Sequence, residues 1–188
     1  MYNQKVKNIS FPNSKNENWR YFNLQDLKRK LDKIKPEDKA PTIFYNHKMD
    51  VHIKINNKGI FLNRHFPDGI SIDIINFKDL KSLDNSIKKN IGKIAKIDGN
   101  YFVSKNTQNF TQLIVINIKE NIIIKSDLKL DISISKSVKW EPRFFVSSRE
   151  NSRSSIQINW NNSLCSINSV FEFYLNQKSH LNLIVTNN

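Results

Sequence analysis

The sequence has little cysteine, glycine or proline: among 188 residues there are one cysteine, Cys165, four glycines and five prolines. One cysteine can form neither an intrachain disulfide nor a cysteine-based metal cluster within the chain, and this usage is typical of a reducing compartment. The first residues, MYNQKVKNISFPNSK, lack the apolar stretch that a signal peptide needs. The longest apolar run, Leu113–Ile118, is too short to span a bilayer. We therefore expect a soluble cytoplasmic protein that does not bind membranes.

Arginine is scarce as well, although the chain is strongly basic. The net charge of +13 comes from 30 basic and 17 acidic residues, and such a charge is typical of proteins that bind nucleic acid. The excess is almost entirely lysine, and lysine, asparagine and isoleucine are abundant together, as an A/T-rich genome would produce without any such partner. Arginine, which binds phosphate and guanine in a bidentate manner, occurs only at positions 20, 29, 64, 143, 149 and 153. Nucleic-acid binding is therefore an alternative rather than the main expectation.

Hydrophobic spacing divides the chain into three parts. Residues 1–35 are predicted to form a helical amino-terminal arm, because Leu24, Leu27, Leu31 and Ile34 share one helical face. Residues 36–110 are predicted to form a mixed α/β domain that leads into the core. Its strands are TIFYNHKMD, VHIKINNKGIFLN and ISIDII. Its helices are FKDLKSL, one starting at Asn85 or Ser86 with Ile87, Ile91 and Ile94 on one face, and one within NYFVSKNTQNF.

Residues 111–188 contain only strand-like segments with polar joints. Two of them, Asn151–Ile158 and Asn176–Leu183, share the pattern Asn-x-x-Ser-x-apolar-x-apolar at an offset of 25 positions (176 minus 151). Such a repeat is typical of the coils of a parallel β-helix, and a regular antiparallel sandwich explains it equally well. Since a solenoid needs a cap and the sequence stops directly after a strand, we expect the chain to be a fragment of a longer protein.

Few residues suggest chemistry. His47, His52, His65 and His180 are scattered; His47 and His52, five apart on a predicted hairpin, could bind a metal, but surface turn residues are the simpler interpretation. Cys165 is interpreted as a small buried residue rather than a reactive thiol. The acids Asp127, Asp131 and Glu141 would suit a β-helix enzyme acting on carbohydrate, although their spacing fixes no geometry. Three arginines, Arg143, Arg149 and Arg153, are interpreted as a basic patch on a solvated sheet face.

The stretch FPNSKNENWRYFNL, residues 11–24, gathers aromatic residues in a polar segment. Ser14 and Glu17 stand at capping-box spacing, which predicts a short helix. Trp19 and Phe22 are three apart and therefore share a helical face. We predict that they pack against the α/β segment that follows Pro41.

The same stretch resembles the amino-terminal signature of SufD-like proteins of the SufB/SufD family, at Pro12, Lys15, Glu17, Trp19, Arg20, Tyr21 and Leu24. Further on, Asn106-Thr107 and Phe110-Thr111 before LIVINIKENIIIKSDLKL are similar to the family's transition into its core, and RFFVSSRENSRSSIQINW is similar to one of its coils. The chain departs from the family at Ile118–Asn121, where Pro-Lys-Gly is expected, and at Ser126-Asp127, where a proline is expected.

The resemblance implies a scaffold subunit rather than an enzyme, acting with a SufB-like partner and a SufC-like ABC-type ATPase in iron–sulfur cluster assembly. It also implies a mainly β fold with an α/β amino-terminal region, in which residues 111–188 start a right-handed parallel β-helix. The family's cluster-related residues lie in its carboxy-terminal half, so no catalytic, cofactor-binding or metal residue is assigned. No cofactor is expected in this segment, although the complete complex would handle an iron–sulfur cluster.

Overall fold

The computed structural model describes residues 10–15, 19–33, 42–46, 48–76, 85–96, 100–110, 112–134, 139–161 and 166–187. The helices are α1 (Leu24–Lys33), α2 (Asn85–Asn90) and α3 (Tyr101–Asn109). The strands are β1 (Thr42–Asn46), β2 (Ile53–Asn56), β3 (Gly59–Asn63), β4 (Ile70–Asn76), β5 (Gln112–Ile118), β6 (Leu128–Ser133), β7 (Lys139–Trp140), β8 (Arg143–Ser148), β9 (Arg153–Trp160), β10 (Ser166–Ile167), β11 (Val170–Leu175) and β12 (His180–Asn187). The protein is mainly β, with mixed parallel and antiparallel sheets.

The amino-terminal arm contains the predicted amphipathic helix. Asn23 caps α1, because its side-chain oxygen accepts a hydrogen bond from the Asp26 amide at 3.0 Å. Leu24 is buried, while Leu27 and Leu31 on the same face are half-buried. Ile34 and Glu17 lie outside the described residues, so the capping box stays a prediction.

The aromatic residues of the arm dock onto α3. The ring of Trp19 lies 5.3 Å from that of Phe102, and the ring of Phe11 lies 5.1 Å from that of Tyr101. Trp19 therefore packs where predicted, on the α/β segment after Pro41. The Phe22 ring lies 5.4 Å from the Trp19 ring at an angle of 57°, and Phe22 is largely exposed. Its described ring contact is with Trp19 and not with the α/β segment on which the sequence prediction placed it.

β2 and β3 form an antiparallel hairpin, while β1 pairs in parallel with β3. Gly59 is required at the start of β3, because its φ is +148° and a Cβ there would collide with the Thr42 carbonyl oxygen. β3 lies between β1 and β2 in the sheet. The predicted hairpin carrying His47 and His52 was therefore wrong, since β1 and β2 do not pair with each other.

Two short helices follow β4. The segment FKDLKSL lies outside the described residues, whereas α2 buries Ile87 and Ile91 as predicted. Ile94 is exposed instead of sharing their face, because the chain leaves the helix after Asn90. α3 begins after Asn100, whose side chain accepts hydrogen bonds from the Phe102 and Val103 amides at 3.1 Å.

From β5 onward, strands that recur along the chain lie beside each other in parallel. Three stacks result: β5, β8 and β11; β6, β9 and β12; and β7 with β10. In the first stack Leu113 pairs with Arg143 and Arg143 with Val170, offsets of 30 (143 minus 113) and 27 (170 minus 143). Within residues 112–187, each strand pairing that the structure describes is parallel, unlike the hairpins of the sandwich alternative.

The predicted repeat offset of 25 was wrong by two positions. In the structure Ile156 pairs with Leu183, an offset of 27 (183 minus 156). A two-residue error leaves the alternation of inward and outward side chains unchanged, so the pattern alone could not detect it. The segment NIIIK, residues 121–125 of the part predicted to consist of strand-like segments, does not form a strand, because only an isolated bridge joins Ile123 to Arg153.

In the sheet of β4, β5, β8 and β11, the central strands β5 and β8 are buried on both faces. One face, including Ile114, Ile116 and Phe144, joins the large apolar core between the stacks. The opposite face, including Leu113 and Phe145, packs with Ile87, Ile91 and Phe110 from the helical region. This sheet therefore joins the helices to the core. None of the described helices has both the length and the apolar character needed to cross a membrane.

Candidate functional site

The stacks have two ends, which differ in whether another strand pairs with their outermost strands. At one end, here called the covered end, β2 pairs with β6 and β4 pairs with β5. At the other end, here called the open end, β10, β11 and β12 are the last strands of their sheets. No described strand pairs with the outer edge of these three strands, so the open end is the candidate site of assembly.

Inward-facing positions of the open end are apolar and exposed. Leu128, Ile156 and Leu183 occupy one ladder, and their exposed fractions are 0%, 1% and 41%. In the next ladder, Leu130 and Ile158 are buried while Val185 is 56% exposed. The exposed side chains thus continue the core in register, and no described strand covers them.

Aromatic residues complete this surface on the neighbouring stack. The rings of Phe144 and Phe171 lie parallel, with centroids 4.1 Å apart. Phe173 follows on the same face as Phe171, and both are half-buried. The open end therefore presents five exposed or half-buried apolar side chains: Phe171, Phe173, Leu181, Leu183 and Val185.

The open end carries almost no charge. Between residues 166 and 187 the formally charged residues are Glu172 and Lys178, and Glu172 is buried in an ion pair. β12 contains no lysine, proline or acidic residue. Sheet edges that must stay single usually carry such residues, so the composition of β12 leaves its edge free to pair.

A buried polar junction joins β11 at the open end to the helical region. Arg143 Nε donates to Glu172 Oε2 at 2.9 Å, and both side chains are fully buried. The second carboxylate oxygen, Oε1, accepts the Gly92 amide at 2.8 Å and the Ala95 amide at 3.1 Å. Glu172 thereby connects strand β11 to the turn after α2.

The guanidinium of Arg143 continues the junction into α3. Its Nη1 donates to Asn106 Oδ1 at 3.0 Å and to Thr107 Oγ1 at 2.9 Å. Asn106 in turn donates to the carbonyls of Pro142 at 2.9 Å and Asn168 at 2.8 Å. Arg143 Nη2 has no hydrogen-bond partner among the described residues. A buried charge is stable only when hydrogen bonds compensate it, and Arg143 obtains two of them from Asn106 and Thr107. These hydrogen bonds therefore hold α3 on the sheet.

The predicted basic patch of Arg143, Arg149 and Arg153 was wrong for Arg143. That residue points to the helix-covered face of the sheet, where it lies 5.7 Å from the Phe110 ring. Arg149 and Arg153 are exposed at a corner of the stacks. A lone Glu172 between two phenylalanines was the signal that could have revealed a buried partner for Arg143, and sequence reasoning missed it.

The corner itself is built from left-handed residues. Asn121, Asn151 and Lys178 have φ values of 54°, 54° and 55°. Each lies eight positions after the equivalent residue of the first stack (121 minus 113, 151 minus 143, 178 minus 170). Asn151 Nδ2 also donates to Asn121 Oδ1 at 3.0 Å. Asparagine tolerates this backbone region better than most residues, which explains its recurrence at the corner.

The three histidines that the structure describes, His52, His65 and His180, lie in different parts of the fold. His52 lies at the covered end, where its Nδ1 accepts the Lys129 amide at 3.0 Å. Burial lowers the pKa of His52, and the Lys129 charge lowers it further. His65 and His180 are exposed in separate places, and His47 and Cys165 lie outside the described residues. Among the residues that the structure describes, no three His, Cys, Asp or Glu side chains are grouped as metal ligands.

The three candidate acids are also separate. Asp131 accepts a hydrogen bond from Asn159 at 2.7 Å on a strand of the second stack, and Asp127 precedes that strand. Glu141 instead lines a cavity of about 480 Å³ with Asp32 and Tyr101. Burial raises the pKa of Tyr101, and the charges of Glu141 and Asp32 raise it further. Neither Asp127 nor Asp131 lines that cavity, so it does not combine the acids expected of a carbohydrate enzyme.

Comparison with known proteins found no matching family model, no similar curated protein and no similar solved structure.

Proposed function

We propose that the chain is a scaffold subunit of a Suf-type iron–sulfur cluster assembly complex, acting in the cytoplasm with a SufB-like partner and a SufC-like ATPase. In this proposal residues 111–188 form the first coils of a right-handed parallel β-helix, and the helical region packs against its first layer. The chain is not itself an enzyme.

The observation that carries the proposal is the parallel stacking of equivalent strands. Successive coils are 27 to 30 positions apart in the three stacks, and left-handed residues recur at the same corner. A coiled scaffold of this kind offers long sheet edges and faces to partners without needing a reaction centre. The resemblance of FPNSKNENWRYFNL to the SufD-like signature supplies the specific family.

A pull-down tests the proposal. The tagged chain is co-expressed with the SufB-like and SufC-like proteins of the same genome, each separately and both together. We expect the chain to be retained with a SufB-like protein and the ATPase, and the chain alone to contain no iron after purification. Retention of neither protein would contradict the proposal. An unrelated ABC-type ATPase serves as the control for nonspecific capture by a basic chain.

Basic residues on α1 favour nucleic-acid binding as a second candidate. Lys28, Arg29 and Lys33 are exposed there, and such a helix could contact phosphates. This alternative expects a gel shift with single- or double-stranded nucleic acid that weakens steeply between 50 and 200 mM salt. A carbohydrate-active β-helix is less well supported, because Glu141 lies in a cavity that Asp127 and Asp131 do not line.

A further inference from the structure

We propose that the cavity between α1, α3 and the segments after β7 and β10 binds a small organic ammonium ion that carries an apolar group. Its volume of about 480 Å³ is within the range of roughly 300–1,000 Å³ that is usual for ligand pockets. Both repeats of the β7–β10 stack and two helices line the cavity, so it lies on the flank of the stack and not at the outer edge of β10. The inference concerns a small-molecule site and stands without the proposed Suf partners.

The walls of the cavity are largely apolar and aromatic. Leu27 and Leu31, four positions apart on α1, lie on one side, and Ile167 of β10 lies on another. Tyr101 and Phe102 of α3 also line the cavity, with ring centroids 5.2 Å apart and ring planes at 88°. All five side chains are half-buried, so a ligand would cover apolar area here. Such walls suit an organic group better than a metal ion, which binds through oxygen ligands and water.

The charged residues of the cavity favour a cation as the ligand. Its described lining contains two carboxylates, Asp32 and Glu141, and one amine, Lys105, although the whole chain has a net charge of +13. Glu141 is buried, and solvent screens a buried carboxylate less than an exposed one. Burial raises the pKa of Tyr101, and the charges of Glu141 and Asp32 raise it further, so both acids act on the same part of the wall. An ammonium ion placed there would gain from the carboxylates and from the aromatic rings together.

Hydrogen bonds of Asn168 hold three sides of the cavity in place. Its Nδ2 donates to the Phe102 carbonyl at 2.8 Å, and its own carbonyl accepts Asn106 Nδ2 at 2.8 Å. Its backbone amide donates to the Trp140 carbonyl at 3.0 Å. These contacts connect α3 to β7 and to the segment after β10, so the walls are in position before a ligand binds. A site arranged in advance loses less free energy to ordering when the ligand enters.

Isothermal titration calorimetry with three probes of similar size tests the proposal. The phenethylammonium ion is compared with neutral phenethyl alcohol and with the phenylacetate anion at the same ionic strength. We expect saturable binding of the ammonium ion to one site, at least tenfold tighter than binding of the alcohol. Because a chain of net charge +13 repels cations in general, saturable binding of a cation indicates a local group of acids. No saturable binding of the ammonium ion, or equal affinity for the alcohol or the anion, would overturn the proposal.

Substitutions of the two acids locate the site. Glu141→Gln keeps the shape of the side chain and removes its charge, so we expect the affinity for the ammonium ion to fall at least tenfold and that for the alcohol to stay unchanged. Asp32→Lys reverses a charge at an exposed position of the wall and should weaken ammonium binding at least threefold, even if Glu141→Gln does not fold. The matched controls are Glu150→Gln and Glu150→Lys, since Glu150 is an exposed acid at the corner of the stacks. Unchanged ammonium binding in Asp32→Lys, or an equal loss in the matched Glu150 variants, would overturn the assignment to this cavity.

Discussion

The two ends of the strand stacks contain the same kind of residue in the same register but in different surroundings. Leu128 at the covered end is 0% exposed, whereas Leu183, two layers away in the same ladder, is 41% exposed. The sequence alternates apolar and polar side chains at both ends. The difference shows that burial in a stacked fold is determined by the next layer and not by the strand alone.

The ends also differ in how their last strands are held. At the covered end, the His52 and Lys129 backbones and the His52 ring connect β2 to β6. At the open end, β11 is held from its helix-covered face by the ion pair of Glu172 with Arg143. The covered end is thus held by additional strands, whereas β11 at the open end is held by its pairing with β8 and by the Glu172 side chain.

The largest expected effect comes from removing that side chain. Glu172→Ala leaves the Arg143 guanidinium buried without its counter-charge and frees the Gly92 and Ala95 amides. Loss of one partner of a buried ion pair typically costs about 3–5 kcal/mol, and we expect a decrease of that size in the free energy of unfolding. Urea titration measures it, and hydrogen exchange should show β11 losing protection.

The control for this variant is Glu150→Ala, because Glu150 is an exposed acid at the corner of the stacks. A change within about 0.5 kcal/mol is usual for surface positions. Equal effects of Glu150→Ala and Glu172→Ala would show that the buried pair does not hold β11.

An intermediate effect is expected from two leucine substitutions, one at each end of the same ladder. Leu128→Ala removes a fully buried side chain and should cost about 2–5 kcal/mol. Leu183→Ala, which deletes the same atoms at the open end, should cost about 1 kcal/mol or less in dilute protein. Thermal and urea unfolding of both variants measure the difference. A cost for Leu183→Ala equal to that for Leu128→Ala would mean that the open end is already covered.

The smallest expected effect is the pH dependence that His52, at the covered end, gives to the free energy of unfolding. Because burial and then Lys129 lower the pKa of His52 below the ordinary value of 6.5, the unfolded chain takes up the proton more readily than the folded chain. His52 therefore favours folding fully above pH 6.5, and this contribution decreases as the pH falls through 6.5 toward the lower folded-state pKa.

Urea unfolding from pH 7.5 to pH 5 measures this dependence. We expect the free energy of unfolding of His52→Gln to decrease less than that of the parent chain over this range. His180→Gln, at the open end, provides the matched control. If His52→Gln retains the full dependence of the parent, the covered end contains no such pH-sensitive contact.

Local patterns predicted much of the fold. The leucine spacing of α1, the strands of the mixed domain and the all-strand character after Thr111 are determined by side chains close in sequence. The docking of Trp19 near Phe102 was predicted in outline. The offset of the repeat was not, because period-two alternation cannot distinguish registers that differ by two residues.

The candidate site could be predicted only in part. The repeat within Asn151–Ile158 and Asn176–Leu183 indicated two equivalent strands, and β9 and β12 do pair in parallel, although at a different offset. The role of Arg143 could not be derived, since its partners Asn106, Thr107 and Glu172 are 29 to 37 positions away in sequence. Contacts of this kind depend on the packing of α3 against the sheet, which hydrophobic periodicity does not specify.

The left-handed corner at Asn121, Asn151 and Lys178 has a consequence for how the chain can change in length. From the first stack to the corner the spacing is the same in each repeat, but afterwards Leu128 follows Asn121 by seven positions (128 minus 121), while Ile156 follows Asn151 by five (156 minus 151). The segment between β5 and β6 thus contains two residues more than the segment between β8 and β9, and β6 still pairs with β9 in register. The stretch 122–127 is accordingly where evolution, or an engineered reporter peptide, can lengthen the protein while the ladders on both sides keep their register.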